Sequence, residues 1–414
     1  MLRWFALLMA IAVVAPVRQA MSEAAPVLSD AGPDALAYGA AVGYPTRRGG
    51  ALLPQVFMVG DYSRYDTLWP FHLVARPANP SPLRRAADEI TLTYHYRNAA
   101  YTLDDYLARN PTTGLLIARD DTILFEHYRY ARTGSDRFLS QSMAKTVTSM
   151  LLGIAVAEGA IRSIDQQAAD YVPELAGSEY GSTSIRDLLH MSSGVAFREV
   201  YDGTDDNAKL GSVRFGPGNP GAAKALAQFN TREVPAGTRF HYASSESQVL
   251  GLVLANAVHM PLASYLQSRI WQKMGAEADA TWVVDSTGVE IASCCLNATL
   301  RDWARFGLLL AHDGAWNGQQ IIPRQWLLDA TGVAAPWLAP GTAAPAYGYG
   351  YQVWLRPGER RQFSLLGIHG QAIFVDPVAH LVLVHTAVRL KASGDPAIAE
   401  LNALWRELVA QYGR

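Results

Sequence analysis

Hydrophobic positions along the chain follow two regimes. Gly114-Leu115-Leu116-Ile117-Ala118-Arg119 and Thr122-Ile123-Leu124-Phe125-Glu126-His127-Tyr128 are short β-prone runs on either side of Asp120-Asp121, which predicts a hairpin. From Ser142 to Gly159 apolar residues fall on nearly every helical face (Met143, Val147, Met150, Leu151, Ile154, Val156), which predicts a helix buried in the middle of a domain. Helical periodicity dominates from 160 to 330, with helices expected over 184–191, 222–229, 245–258, 262–274 and 300–312. Strand-like runs return at 349–355, 371–375 and 381–386, followed by an amphipathic helix over 396–412.

Strands at both ends with helices between them predict an α/β (α+β) fold. Its antiparallel sheet is built from both chain ends, residues 101–160 and 340–414, and is flanked by helices. A mostly helical domain, residues 161–339, is inserted, and the active site is expected between the two. Residues 26–100, rich in Pro, Gly and aromatics with little periodicity, are expected to form an arm packing on the core.

The first 25 residues follow a different pattern. A basic start, Met1-Leu2-Arg3, precedes the 14-residue apolar run Trp4 to Val17, and small residues follow at Ala20 and Ser22-Glu23-Ala24. The run is too short to span a bilayer and has the form of a secretory signal. An exported protein, periplasmic or secreted, is expected, its mature chain beginning between Met21 and Pro26.

Composition narrows the function classes. Of 414 residues, 50% are hydrophobic and 17% charged, with a net charge of −2. That excludes a mostly disordered chain and leaves no basic surplus for nucleic acid. Beyond the leader no apolar run approaches the length of a membrane span. The two cysteines, Cys294 and Cys295, are adjacent, so neither a structural disulfide nor a zinc site is expected. Oligomeric state is not readable.

Lysine is scarce, and one of the five, Lys145, lies in the least polar helix, three residues after Ser142. Ser142-Met143-Ala144-Lys145 puts both side chains on one helical face. An ammonium in an apolar setting has a lowered pKa and can accept the serine proton, while a helix N-terminus favours an oxyanion. The plain alternative is a lysine that snorkels out beside an N-cap serine.

Downstream, Tyr242-Ala243-Ser244 offers a tyrosine able to relay a proton at a loop–helix junction, where Ser245 and Gln248 have the spacing of a capping box. Tyr96-Arg97-Asn98 and Tyr180-Gly181-Ser182 match the same short pattern, but only Tyr242 follows the turn Pro235-Ala236-Gly237-Thr238. Gly367-Ile368-His369-Gly370-Gln371 precedes a strand. There Gly370 would allow close approach of a bound carbonyl, and the Gln371 amide would donate to it. A simple turn between strands explains these residues equally well.

In order and spacing these three segments resemble the serine β-lactamase and penicillin-binding protein superfamily, with its Ser-x-x-Lys, Tyr-x-Asn/Ser and [Lys/His]-x-Gly motifs. The resemblance spans roughly residues 100 to 410. Within the class C β-lactamase-type branch the chain is similar to 6-aminohexanoate-dimer hydrolases and related esterases. The stretches Thr183 to Gly194, Arg301-Asp302-Trp303-Ala304-Arg305-Phe306-Gly307 and Tyr347-Gly348-Tyr349-Gly350 reinforce it. It implies Ser142 as nucleophile, Lys145 as base, Tyr242 as proton relay, and the Ser142 and Gln371 amides as oxyanion donors. Tyr201, Asn297, Ser244, His369 and Gly370 are the implied substrate-binding residues. No cofactor and no metal are implied, and the partner is a small amide or ester.

The chain also departs from the pattern. Ile368 stands at the cationic first position of the third motif, with His369 one place later, and no Glu-x-x-Leu-Asn is present. A β-lactamase or D-Ala-D-Ala peptidase remains an alternative on the same fold, and a non-catalytic ligand sensor a further one. The acidic loop containing Asp202, Asp205 and Asp206 either attracts a substrate ammonium or is a solvated surface loop.

Overall fold

The computed structural model describes residues 32–49 and 52–413, so the first 25 residues, expected to be a secretory signal, lie outside the described residues. The two runs around Asp120-Asp121 form the expected hairpin: β1 (Thr112–Arg119) and β2 (Thr122–Tyr128) pair antiparallel, with Asp120 at φ 56°, in the left-handed region of a tight turn. Three late strands complete the centre of the same sheet. These are β3 (Phe363–Gly367), β4 (Gln371–Asp376) and β5 (Leu381–Ala387). Strand order runs Gly348–Tyr349, Trp354–Leu355, β3, β4, β5, β1, β2, Arg84–Arg85, so the sheet is indeed built from both chain ends. All neighbours are antiparallel except the edge pair of Arg84–Arg85 with β2, which is parallel.

Both faces of this sheet are covered, which is why its central strands read as continuous apolar runs rather than alternating ones. On one face Leu116, Ala118, Ile373, Val382 and Val384 pack with the helices α1 (Met143–Ala157) and α3 (Leu300–Ala311), and α2 (Ser244–Val258) packs on α1. On the other, Leu115, Ile117, Phe374 and Leu383 pack with the helix Leu103–Arg109 and with α4 (Ala397–Tyr412). The stretch around Arg301 ties α3 to the sheet: Arg301 donates to the buried Glu126 on β2 at 2.8 and 3.0 Å.

A second, four-stranded sheet sets the entry to α1. Its order is Phe71–Val74, Ala280–Val283, Leu296–Ala298, Phe138–Leu139. Phe71–Val74 and the helix Gln55–Arg64 belong to the segment expected to be an irregular arm, so that segment contributes regular structure. Several other expectations change in detail. The run 349–355 is two short strands either side of Gln352, whose backbone takes φ 58°. The run 262–274 is α-helical over Leu262–Leu266 and continues as a π-helix over Gln267–Trp271. Cys294 and Cys295 are joined in a vicinal disulfide, contrary to the expectation from sequence.

Candidate active site

Helix α1 is buried from Met143 to Ala155, and its first turn carries Lys145, only 2% exposed. An ammonium there must find acceptors, and it finds three. Lys145 Nζ donates to Ser142 Oγ at 2.9 Å, to Ser244 Oγ at 2.9 Å and to the Ser293 carbonyl at 3.0 Å. Burial pushes its pKa down to about 8, the charge of Arg214 adds to that, and the charge of Glu199 works against it.

Each acceptor is positioned by a separate part of the chain. Ser142 follows strand Phe138–Leu139, and the link between them is pinned by Ser140 N–H donating to the Leu296 carbonyl at 2.8 Å. Ser244 opens α2. The carbonyl of Ser293 is held by bonds to its neighbours: Thr148 Oγ1 donates to the Ala292 carbonyl at 3.1 Å, and Trp282 Nε1 to the Ile291 and Cys294 carbonyls at 3.0 and 3.1 Å. Gln248 belongs to this support rather than to a capping box, since its amide receives Ala292 N–H and donates to the Glu290 carbonyl, both at 2.9 Å. Ser245 meets Tyr180 Oη instead, at 2.6 Å.

Tyr242 stands beside this pair. It borders the same cleft as Ser142, its ring centroid lies 5.0 Å from Lys145 Nζ, and it stacks on Trp354 at 5.5 Å. Burial raises the phenol well above its ordinary pKa, and Glu199 raises it further. Tyr242 is therefore a proton donor at neutral pH.

Glu199 is the residue that sequence reasoning missed. Its carboxylate accepts Ser244 N–H at 2.6 Å, Ser244 O–H at 2.7 Å and the Tyr201 hydroxyl at 2.8 Å. Tyr201 reaches it from a backbone at φ 60°, and Asp205 holds that turn by accepting the N–H groups of Val200 and Tyr201 at 2.7 and 2.6 Å. Asp205 also caps the helix Asp206–Phe215, while Asp202 pairs with Arg198 and Asp206 with Lys209. The acidic loop thus spends its carboxylates on folding itself, and none of the three lines the cleft.

The cleft is a cavity of about 510 Å³ bordered by Ser142, Glu199, Tyr201 and Tyr242 on one side and by the edge of β3 on the other. At that edge Gly367 comes against the loop that leads into Ser142: a Cβ there would lie 2.7 Å from the Ser140 carbonyl oxygen and 2.8 Å from Gln141 Cβ. Gly370 lines the cleft too, but its missing side chain makes room for Ala387 and Arg389. The Gln371 side chain is turned to the Ala387 carbonyl, at 2.7 Å.

Two further candidates lie elsewhere. Asn297 is fully buried in strand Leu296–Ala298 and gives its amide to Thr281 and the Cys295 carbonyl, so it does not line the cleft. His369 turns its Nδ1 to the Arg389 carbonyl at 2.6 Å and packs its ring edge-on against Tyr62. The far wall of the cleft brings in Arg389, Lys391 and Asp395, cationic and acidic groups that the motif reading did not reach.

The beta-lactamase family model matches residues 99–404. The chain belongs to the beta-lactamase family. Within it, the chain is 28% identical over 365 residues to the 6-aminohexanoate-dimer hydrolase of Paenarthrobacter ureafaciens, covering 85% of this chain and 90% of that one. A solved structure from Bacillus anthracis, provisionally named a 6-aminohexanoate-dimer hydrolase, superposes with a TM-score of 0.78 at 24% identity, over 88% of this chain and 96% of the other. A family VIII carboxylesterase shares the fold at a TM-score of 0.56 and 16% identity, over 72% and 93% of the two chains. This beta-lactamase-family member is accordingly a serine hydrolase.

Proposed function

We propose that the enzyme cleaves small amides or esters through an acyl-enzyme on Ser142. One observation carries the reading: the Ser142 hydroxyl lies 2.9 Å from a buried lysine whose pKa has fallen to about 8, at the floor of an open cavity. Lys145, with Tyr242, takes the proton as Ser142 attacks the carbonyl carbon. Tyr242 then delivers a proton to the departing amine or alkoxide, and water repeats the sequence on the acyl-enzyme. The oxyanion would be held by two backbone N–H groups. Ser142 supplies the first. The contact of Gly367 with the nucleophile's loop favours Ile368, the next residue, as the second in place of Gln371. Tyr201 and Glu199 hold Ser244, and through it Lys145, in place. The relative from Paenarthrobacter supports a short linear amide as substrate, and the carboxylesterase neighbour an ester. The leader segment supports export.

Replacing Ser142 by Ala should abolish turnover of p-nitrophenyl esters and of linear ω-amino amides without unfolding the protein, and a serine-directed phosphonate should label Ser142 alone. Ester turnover above background in that variant would remove Ser142 as nucleophile.

A β-lactamase or peptidase reading has one observation in its favour. Lys391 lines the cleft and has no ion-pair partner among the described residues, so a substrate carboxylate could meet it. Against that reading, the end of β3 and the residue after it present Leu366, Gly367 and Ile368 to the cleft and no cation. A chromogenic cephalosporin hydrolysed with a kcat/KM equal to that of the best small ester would favour this second reading.

A further inference from the structure

At the opposite end of the main sheet from Gly367, three chain segments bring one carboxylate and two imidazoles together. The β1–β2 turn contributes Asp120, the β4–β5 turn His380, and the C-terminal cap of α3 His312. Asp120 Oδ1 lies 2.9 Å from His380 Nδ1 and 3.9 Å from His312 Nε2, and one ligand atom from each residue falls within 4.8 Å of the other two. We propose that Asp120, His312 and His380 bind a divalent transition-metal ion of the zinc class, as a structural clamp remote from the catalytic cleft.

Four features support this beyond proximity. His312 Nδ1 is 2.8 Å from the Leu308 carbonyl, which can only accept, so the proton sits on Nδ1 and the Nε2 lone pair faces Asp120 and His380. That is the outer-shell arrangement that orients a metal-binding histidine. Second, the two turns are already tied together: Asp120 N–H donates to the His380 carbonyl at 3.0 Å, with Asp120 at φ 56° and His380 at φ 50°. Third, His312 stands at the C-terminus of α3, where the carbonyl dipoles favour a cation. Fourth, a cavity of about 370 Å³ opens beside Asp120 and His312 and has room for water to complete the coordination.

The donor set selects the ion. Two imidazole nitrogens with one carboxylate oxygen suit zinc and its neighbours rather than magnesium or calcium, which take oxygen ligands. Zinc–ligand bonds of about 2.0–2.1 Å in a tetrahedron separate the ligand atoms by roughly 3.3 Å. The observed 2.9 and 3.9 Å lie on either side of that, and the two imidazoles, stacked with centroids 4.1 Å apart, must turn their ring planes toward a common point to seat the ion. Nearby charge is partly committed: Arg84 takes Asp121, and Arg119 Nε stands 3.6 Å from the other oxygen of Asp120. That guanidinium opposes the ion and should keep its affinity moderate.

Trp316 supplies a reporter, its ring 5.6 Å from His312. The full-length enzyme without an affinity tag should be titrated with Zn²⁺ by calorimetry and with Cu²⁺ by tryptophan quenching. One ion per chain should bind, and the melting temperature should rise with Zn²⁺. Asp120→Asn and His380→Gln, which lie on different turns, should each weaken binding at least about tenfold and remove the Zn²⁺-dependent rise. Ester turnover in the absence of metal should be unchanged in both. Absence of saturable binding, or binding of wild-type strength in both variants, would overturn the proposal.

Discussion

Replacing Glu199 with Gln tests whether the lysine is tuned by a charge that the motifs do not contain. Glu199 Oε1 and Lys145 Nζ are linked through Ser244 Oγ by hydrogen bonds of 2.7 and 2.9 Å, so the two charges are at most about 5.6 Å apart. At an effective dielectric of about 20, opposite unit charges at that separation attract by about 3 kcal/mol. Each pKa unit is worth about 1.4 kcal/mol, and Glu199 is partly open to solvent, which reduces the effect. The lysine, now at about 8, should therefore titrate about 1 to 2 pH units lower in the variant. The sign is fixed. Removing a nearby negative charge destabilises the ammonium, so the free base is reached at lower pH. The assay is kcat/KM for a neutral p-nitrophenyl ester between pH 5 and 9.5, which reports the free enzyme's base. The rising limb should move to lower pH while the plateau falls, because Tyr201 and Ser244 lose a charged acceptor. A limb that stays in place, or moves to higher pH, refutes the reasoning.

Three other outcomes follow from the same geometry. Gly367→Ala would drive a methyl group to within 2.7 Å of the Ser140 carbonyl at a backbone that alanine otherwise tolerates (φ −127°), so kcat should fall about 10²–10³-fold, the value of one oxyanion donor, with far less change in melting temperature; wild-type turnover would argue against the β3 edge. Burial holds the Glu246 carboxyl up at about 8, so the folded state keeps its proton between about pH 4.5 and 8, and the stability it contributes below that range is lost as pH rises through 8; Glu246→Gln should then gain on the order of 4 kcal/mol relative to wild type in urea unfolding at pH 8.5 and little at pH 4.5, and a pH-independent difference would count against it. Lys391→Ala should raise KM about two- to fivefold for an ester bearing a carboxylate and leave a neutral ester unchanged, whereas equal effects on both would show that Lys391 does not face the substrate.

What the sequence revealed depended on how local the information was. Ser142 and Lys145 are one helical turn apart, so their partnership could be read from spacing. The buried helix α1, the hairpin at Asp120 and the late strands β4 and β5 are continuous apolar runs, and they appeared as such. Glu199 could not be found this way. It sits in a loop that looks like an ordinary acidic surface segment, and it meets Ser244 across 45 residues. Strand β3 was also missed, because Phe363–Gly367 is a short run just after Arg360-Arg361. The capping box failed for a physical reason. Lys145 and Glu199 already hold Ser244, so α2 starts one residue earlier and Ser245 faces Tyr180. Asn297 shows the limit of transferring roles by resemblance, since its partners lie in the small sheet.

The saturation of Lys145 has a consequence for direction. An ammonium has three protons, and here all three are placed on Ser142, Ser244 and the Ser293 carbonyl. Once neutral, the amine keeps two protons and must aim a lone pair at one of those three neighbours. The carbonyl has no proton to give. Ser244 has already committed its own to Glu199. Ser142 alone can turn its hydroxyl around and become the donor. The wiring therefore acts as a one-way valve: whichever proton the lysine loses, the vacancy is refilled from the Ser142 hydroxyl, the group proposed to become the alkoxide.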